Sequence, residues 1–360
     1  MAAKAHHIDP LSLPFHPIPA STSPGAVVNL TVLNCGEITT RWVHFRQRET
    51  AEEMRERETG VVFAWVIEKQ FDDGKVERWL WDAGVVSHPN DLGPTLAASF
   101  GPRFIFDVPP SARLPGLLEH LSPPPATLST LTGLLISHSH MDHYGRLSDF
   151  PASLPVIFGP GTKAWVEAGV EQGRPIPKTF WEHPDWIGEV GEEGAKGRGK
   201  GWEKVGSYEY AWDWFGDGSL WLAQAPGHCP GHMVALGRVS TSPDTYVLLG
   251  GDTCHSRPIY SPFPSPSARW PCACWADPSE GPDAKPSHTM HLDLPLTYES
   301  IARLTRMEME ENVMCVLAHE TEVARELGIG IGQMKGGWEA WKELGWKRKE
   351  SGEPPKKGVI

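Results

Sequence analysis

Residues 137–145 read Ser-His-Ser-His-Met-Asp-His-Tyr-Gly, which crowds three imidazoles and a carboxylate into one short stretch. At the end of an extended strand, side chains two apart point the same way, so His138 and His140 can grip one cation together. Once the chain turns, Asp142 and His143 can face a neighbouring cation. Imidazole nitrogen and carboxylate oxygen are donors that borderline-soft Zn²⁺ accepts at ~2.0–2.2 Å. A chance match to HxHxDH is expected in roughly one such chain in a thousand, which outweighs a coincidental polar loop.

Three further segments carry the same chemistry. Residues 225–232 read Ala-Pro-Gly-His-Cys-Pro-Gly-His, residues 250–253 Gly-Gly-Asp-Thr, and residues 318–320 Ala-His-Glu. A histidine in any one of these settings is more often structural or merely exposed. Each segment, however, follows an apolar run, and side chains at strand ends can converge on one edge of a sandwich.

The elements that must position them are legible in outline. Runs 27–33, 61–67 and 76–81 are rich in β-branched and aromatic residues and read as strands. The third ends in Asp82-Ala83-Gly84, a strand-to-turn signal. Residues 112–121 predict a short helix, 131–137 a buried strand, 155–158 a strand and 161–171 a helix. Strands resume at 219–224, 232–239 and 245–250. A helix over 297–310, a strand over 313–318 and a final helix over 333–344 complete the set. The charged stretch 46–58 is helical by propensity and has no clear apolar face, so it reads as a solvated helix or loop. Residues 188–204, rich in Gly and charge, read as a mobile loop. Strands first, then alternating strands and helices, suit two sheets flanked by helices.

Composition narrows the partners. The chain has 360 residues, 40% apolar, which is enough for a sizeable core. Its 33 basic and 45 acidic residues give a formal charge of −12, which argues against nucleic acid as the main partner. Bound dications would still admit an anionic small molecule. Six cysteines are spread too thinly for a disulfide framework, and Cys272 with Cys274 lacks a second pair at zinc-finger spacing. Sixteen tryptophans are expected mainly in the core, with some lining a cleft. With no apolar signal region and no run of ~20 apolar residues, the expectation is a cytoplasmic protein away from membranes.

The order HxHxDH, PGHxxGH, GD and AH resembles the metallo-β-lactamase superfamily over about residues 26–320. The resemblance implies an α/β (α+β) fold, the four-layer αββα sandwich. It implies two zinc ions, with iron or manganese as substitutes. His138, His140 and His228 would hold the first, Asp142, His143 and His319 the second, and Asp252 would bridge them. Asp82 matches an early D-x-G, whose carboxylate supports a ligand in that family; a plain turn residue is the other reading. His232 is expected behind the ligands or in the core, not among them. Cys229 stands where Thr or Ser is usual and, like Cys254, is read as small buried filler.

What the resemblance implies chemically is a metal-bound hydroxide that attacks an electrophilic carbonyl, with Asp142 orienting the nucleophile and passing its proton to the leaving group. Tyr144, Tyr208, Tyr210 and Tyr260 are candidates to assist the oxyanion. The bridging Asp252 argues against simple β-lactam hydrolysis, and the lactonase-like group is most similar, including N-acyl homoserine lactone lactonases and lactam hydrolases. A small cyclic ester or amide is therefore the expected substrate. A glyoxalase II-like thioesterase, similar through His319-Glu320-Thr321, is the alternative, and an iron-dependent oxidoreductase is the alternative of another class. The expected layout is a Pro-rich, weakly ordered arm over 1–25, the hydrolase domain over 26–345 and a polar tail over 346–360. Insertions near 173–206 and 255–290 would form substrate walls.

Overall fold

The unbroken apolar run at 61–67 is explained by burial on both faces. Val61, Phe63, Trp65 and Ile67 enter one apolar cluster, while Val62, Ala64 and Val66 enter another. The computed structural model describes residues 8–21, 23–41, 57–92, 94, 97–98, 104–172, 188–191, 199, 201–261 and 289–347. In chain order the strands are β1 (Asn29–Arg41), β2 (Arg57–Gln70), β3 (Val76–Trp81), β4 (Ile105–Asp107), β5 (Gly133–Ile136), β6 (Val156–Phe158) and β7 (Gly188–Glu189). There follow β8 (Trp202–Val205), β9 (Tyr208–Asp213), β10 (Leu220–Gln224), β11 (Met233–Thr241), β12 (Asp244–Leu249), β13 (Val313–Val316) and β14 (Met334–Lys335).

Among the described residues these make two sheets. One runs β14-β1-β2-β3-β5-β6-β7, with β4 also paired to β1; the other runs β13-β12-β11-β10-β9-β8. Between them lies a core that includes Phe63, Trp65, Trp79, Trp81, Leu222, Val247 and Val316. The outer face of the first sheet is covered by the helices Gly116–His120 and Thr162–Glu171. On the outer face of the second, the helix Leu294–Glu308 packs Ile301, Leu304 and Met307 against Trp221, Leu236 and Leu248. The result is the expected αββα sandwich. No helix among the described residues is long and apolar enough to cross a membrane.

Several boundaries differ from expectation. The helix expected at 333–344 is absent: Met334 pairs with Leu33 of β1, and only Trp338–Ala340 forms a 3-10 turn. Gly337, at φ 81°, breaks the helix. Trp338, Trp341 and Trp346 then sink into the inter-sheet core, with Trp338 edge-on to Trp65 at 4.7 Å. Helical spacing there came from core burial, not from a helix. The mobile loop expected over 188–204 ends instead in strands at each side, β7 and β8, and Trp202 packs edge-on against Trp212 at 5.4 Å. The strand β9 and the helix Thr321–Leu327 had no counterpart in the sequence analysis. The helix expected over 297–310 starts earlier because Asp293 caps it, accepting from Leu296 N–H at 3.1 Å. Of 46–58, residues 46–56 lie outside the described residues and Arg57 and Glu58 begin β2. Most of the two expected insertions also lies outside them, as do Cys272 and Cys274.

The described part of the Pro-rich segment before β1 lies against the body, where a weakly ordered arm was expected. His16 bridges Gly206, and the buried Lys69 ammonium donates to Gly25 O (2.6 Å) and Val27 O (3.3 Å) while pairing with Asp217 (2.5 Å).

One close approach governs how the sheets meet. A Cβ on Gly159, just after β6, would stand 2.0 Å from Gly231 O, a backbone atom of the turn before β11. Gly159→Ala is therefore expected to destabilise the fold by about 1–3 kcal/mol. Chemical denaturation should show the lower midpoint; an unchanged midpoint would mean the turn can retreat freely.

Candidate metal centre

Parallel pairing brings the motif-bearing strand ends together. β3 and β5 run side by side, with Trp81 opposite Leu135, so Asp82 and Ser137 emerge at one edge. β12 and β13 do the same in the other sheet, with Leu249 opposite Val316, delivering Asp252 and His319. Two hydrogen bonds stitch the sheets at this edge: Met233 N–H to Ser137 O and Phe63 N–H to Ala318 O, each 3.0 Å. After β5 the chain bends at Ser137 and Ser139, passes His140 (φ −87°, ψ 150°) and enters the short helix Met141–Tyr144. The His143 ring still stands 4.0 Å from that of His138, which lies 4.6 Å from that of His140.

All seven residues expected as ligands lie in this one cluster. His138, His140, His228 and Asp252 can place one donor atom each within 4.8 Å of the others, and so can Asp142, His143 and His319. A tetrahedral ion bound at ~2.0–2.1 Å holds its donors about 3.3–3.4 Å apart. Asp252 Oδ2 lies 3.3 Å from Nε2 of both His228 and His143 and 3.6 Å from His138 Nε2. Its other oxygen, Oδ1, lies 3.3 Å from His319 Nε2. His319 Nε2 is in turn 3.4 Å from Asp142 Oδ2 and 3.3 Å from His143 Nε2. Only His140 Nδ1 and His228 Nε2 stand closer, at a hydrogen-bonding 2.8 Å, and a shared ion would part them slightly. Among the described residues His138 Nε2 and Asp252 Oδ1 are buried without a hydrogen-bond partner, which is costly unless a cation takes their lone pairs. The donor set fits divalent metal.

The second ring nitrogens hold the imidazoles in place. His143 Nδ1–H donates to Asp82 Oδ2 at 2.8 Å, and His319 Nδ1–H donates to Val61 O at 2.7 Å. These tautomers turn the Nε2 lone pairs toward the cluster. Asp82 also accepts from Ser137 N–H (2.7 Å) and Oγ–H (2.9 Å). It is the positive-φ residue among the described non-glycines (φ 59°), strain that its three hydrogen bonds hold in place. His232 sits behind the cluster, accepting from Asp252 N–H at Nε2 (2.9 Å) and donating from Nδ1 to Ala225 O (2.8 Å).

Charge is distributed unevenly among the rings. Burial pushes His138, His140 and His228 down, so their lone pairs are free at neutral pH. Burial also opposes a charge on His319, but the carboxylates of Asp252 and Asp142 override it and raise the imidazole to about 10. His143 is likewise raised against burial, by Asp252 and Asp82. Asp142 is held at about 2 despite burial, by its hydrogen bond to His319 and the charge of His143. Without an ion, protons on His143 and His319 neutralise the carboxylates.

Two histidines that carried no motif also reach the cluster. His255 Nε2–H donates to Asp252 Oδ2 at 3.0 Å, and its ring lies parallel to His319 (8°, 5.7 Å). His291 Nδ1 faces His228 Nδ1 at 3.3 Å. The one local signal for His255 was its position three residues after Asp252; His291 had none. The tyrosine candidates fare differently. Tyr210 is 59% exposed, and Tyr208 packs with the outer core under the helix Leu294–Glu308. Tyr260 donates to Glu320 Oε2 at 2.9 Å, and Tyr144 is buried beside Asp142, which together with desolvation raises its hydroxyl well above the usual value. Glu320 also accepts from Arg257 and from Leu317 N–H (2.9 Å). Cys229 and Cys254 are buried, and burial pushes the Cys229 thiol up to about 12, so it stays protonated.

No family model matches the chain. It is 34% identical over 229 residues to a protein of Penicillium brevicompactum named cytochrome P450 monooxygenase mpaDE', covering 61% of this chain and 25% of that one. The chain thus spans about a quarter of that relative's length. A γ-lactamase (MBL2) of Gibberella moniliformis is 33% identical over 203 residues, covering 49% of this chain and 81% of the relative. Among solved structures, an N-acyl homoserine lactone hydrolase with N-hexanoyl-L-homoserine bound at its catalytic metal centre superposes with a TM-score of 0.56. It is 17% identical and covers 83% of this chain and 96% of that one.

Removing the Asp82 carboxylate frees His143 to rotate. Asp82→Ala is expected to weaken metal binding about 10–100-fold, measured by chelator competition; wild-type affinity would remove its supporting role. The ion-free charge pattern predicts proton release on metal binding. Raised to about 10, His319 stabilises the ion-free fold fully below pH ~6.5 and loses that contribution as pH rises through about 10. An ion needs the neutral ring, so zinc titrated at pH 7 should expel protons, and less so above pH 10. Calorimetry in buffers of different ionisation enthalpy reads this directly. Buffer-independent heats at pH 7 would contradict it.

Proposed function

The chain belongs to the metallo-β-lactamase superfamily, and on that premise we propose that it is a metal-dependent hydrolase that opens a cyclic amide or ester. The observation that carries this is the position of Asp252, whose carboxylate stands between two groups of imidazoles and within 3.3 Å of His228, His143 and His319. His138, His140 and His228 would hold one ion and Asp142, His143 and His319 the other, with Asp252 available to both. Zinc suits an imidazole-carboxylate set at these separations; iron and manganese accept the same donors. When bound, the paired ions supply a nucleophile at neutral pH and polarise the acyl oxygen.

The chain's own residues do the rest. Asp142 is ionised, about 18% exposed at the side chain, and fixed by His319. It is the carboxylate that can take the nucleophile's proton at Oδ and return it to the departing nitrogen or oxygen. His143, locked by Asp82, and His319, locked by Val61 O, keep that carboxylate from swinging away. The γ-lactamase relative and the lactonase structure support a lactam or lactone over a thioester or a redox substrate.

A hydrolysis screen of γ-lactams, lactones and thioesters on zinc-loaded protein, with metal content measured in parallel, tests the substrate class. Turnover of thioesters alone would replace this substrate class. Asp142→Asn is expected to keep most of the metal and lose at least ~100-fold in kcat; near-normal turnover would remove its role.

A further inference from the structure

His291 is the buried histidine that the metal centre leaves over, and backbone contacts place it. Leu292 N–H donates to His228 O (3.0 Å) and Asp293 N–H to Gly227 O (2.9 Å), pinning the segment along the 227–228 turn. Gly227 permits the approach: its φ is 124°, and a Cβ there would meet Thr297 N at 2.3 Å. The His291 ring stands 4.8 Å from that of His228 and 5.4 Å from that of His255, and is 2% exposed. Its Nδ1 faces His228 Nδ1 at 3.3 Å, while its Nε2 is buried with no hydrogen-bond partner among the described residues.

Two nitrogens facing each other share one proton, and the metal decides which ring owns it. This step rests on the proposed function: where His228 Nε2 gives its lone pair to an ion, the proton of that ring sits on Nδ1. His291 Nδ1 must then accept, so neutral His291 carries its own proton on Nε2. The outcome is an N–H donor beside the metal centre for which no described residue supplies an acceptor, a cost that a bound ligand would remove. Leu292 and Leu296 follow on the same segment, 53% and 39% exposed. We propose that His291 Nε2–H binds substrate, donating to the acyl oxygen of the cyclic amide or ester and to the carboxylate oxygen that ring opening leaves.

The test uses zinc-loaded full-length protein labelled with ¹⁵N-histidine. Long-range ¹H–¹⁵N spectra should report the Nε2–H tautomer for His291; the Nδ1–H tautomer overturns the proposal. Affinity for 4-aminobutyrate, the ring-opened form of the simplest γ-lactam, is then measured with His291→Phe and His291→Gln. Both variants should keep wild-type zinc. His291→Phe should bind the ligand about tenfold more weakly, while His291→Gln, which retains an N–H, keeps most of the affinity. Unchanged affinity in His291→Phe, lost zinc in either variant, or no binding by the wild type overturns it. A wild-type protein that takes up no zinc would instead sink the hydrolase assignment, and this inference with it.

Discussion

Everything at the working edge of this sandwich answers to one constraint, the burial of the Asp252 carboxylate. It is 2% exposed, and among the described residues the groups that pair with it are imidazoles, not lysine or arginine. An ionised carboxylate out of water must be compensated at close range. Imidazole can do this in two ways, by carrying a proton or by joining the carboxylate around a cation. The cluster is arranged so that both are open. His143 and His319 are held protonated by the carboxylates, while His138, His140 and His228 are held neutral by burial. Exchange of protons for metal is thus written into the packing.

The sandwich satisfies that constraint because two parallel strand pairs end at the same edge. A side chain on the last residue of a strand has little freedom, since the preceding residues are fixed by core packing on both faces. Bonds between the sheets at Ser137 and Ala318 then set the distance across the cluster. Asp82, Ser137 and His232 act behind the donors, each occupying a lone pair or proton that would otherwise let a ring or carboxylate turn.

The sequence carried the cluster's donors and lost much of their support. HxHxDH is legible because it is local: strand alternation followed by a turn dictates where four side chains go. His228, Asp252 and His319 were legible only in combination, as polar residues after apolar runs. His255 lies only three residues after Asp252 but belongs to no recognised motif, and His291 was invisible because its proximity to His228 comes from packing across the fold, not from spacing. The Trp-rich C-terminal segment misled for the converse reason. Trp338, Trp341 and Trp346 have helix-like spacing, yet Gly337 ends the local geometry and each indole finds its own place in the inter-sheet core. Strand β9 escaped notice because its exposed and buried positions, Tyr208 to Asp213, mix aromatic and charged residues on both faces.

The neighbours His319 and Glu320 point opposite ways. One ring joins the metal cluster, and the adjacent carboxylate seizes Arg257 and Tyr260 from the segment that bears His255. A single peptide unit therefore couples two walls of the active centre. Displacing the 255–260 segment outward would pull on Glu320 and tilt His319, so opening this flank to admit a bulkier ligand would cost the cluster its grip on metal. Breadth of ligand and tightness of metal are mechanically opposed here. Variants that widen this side should arise with compensation at Arg257 or Glu320.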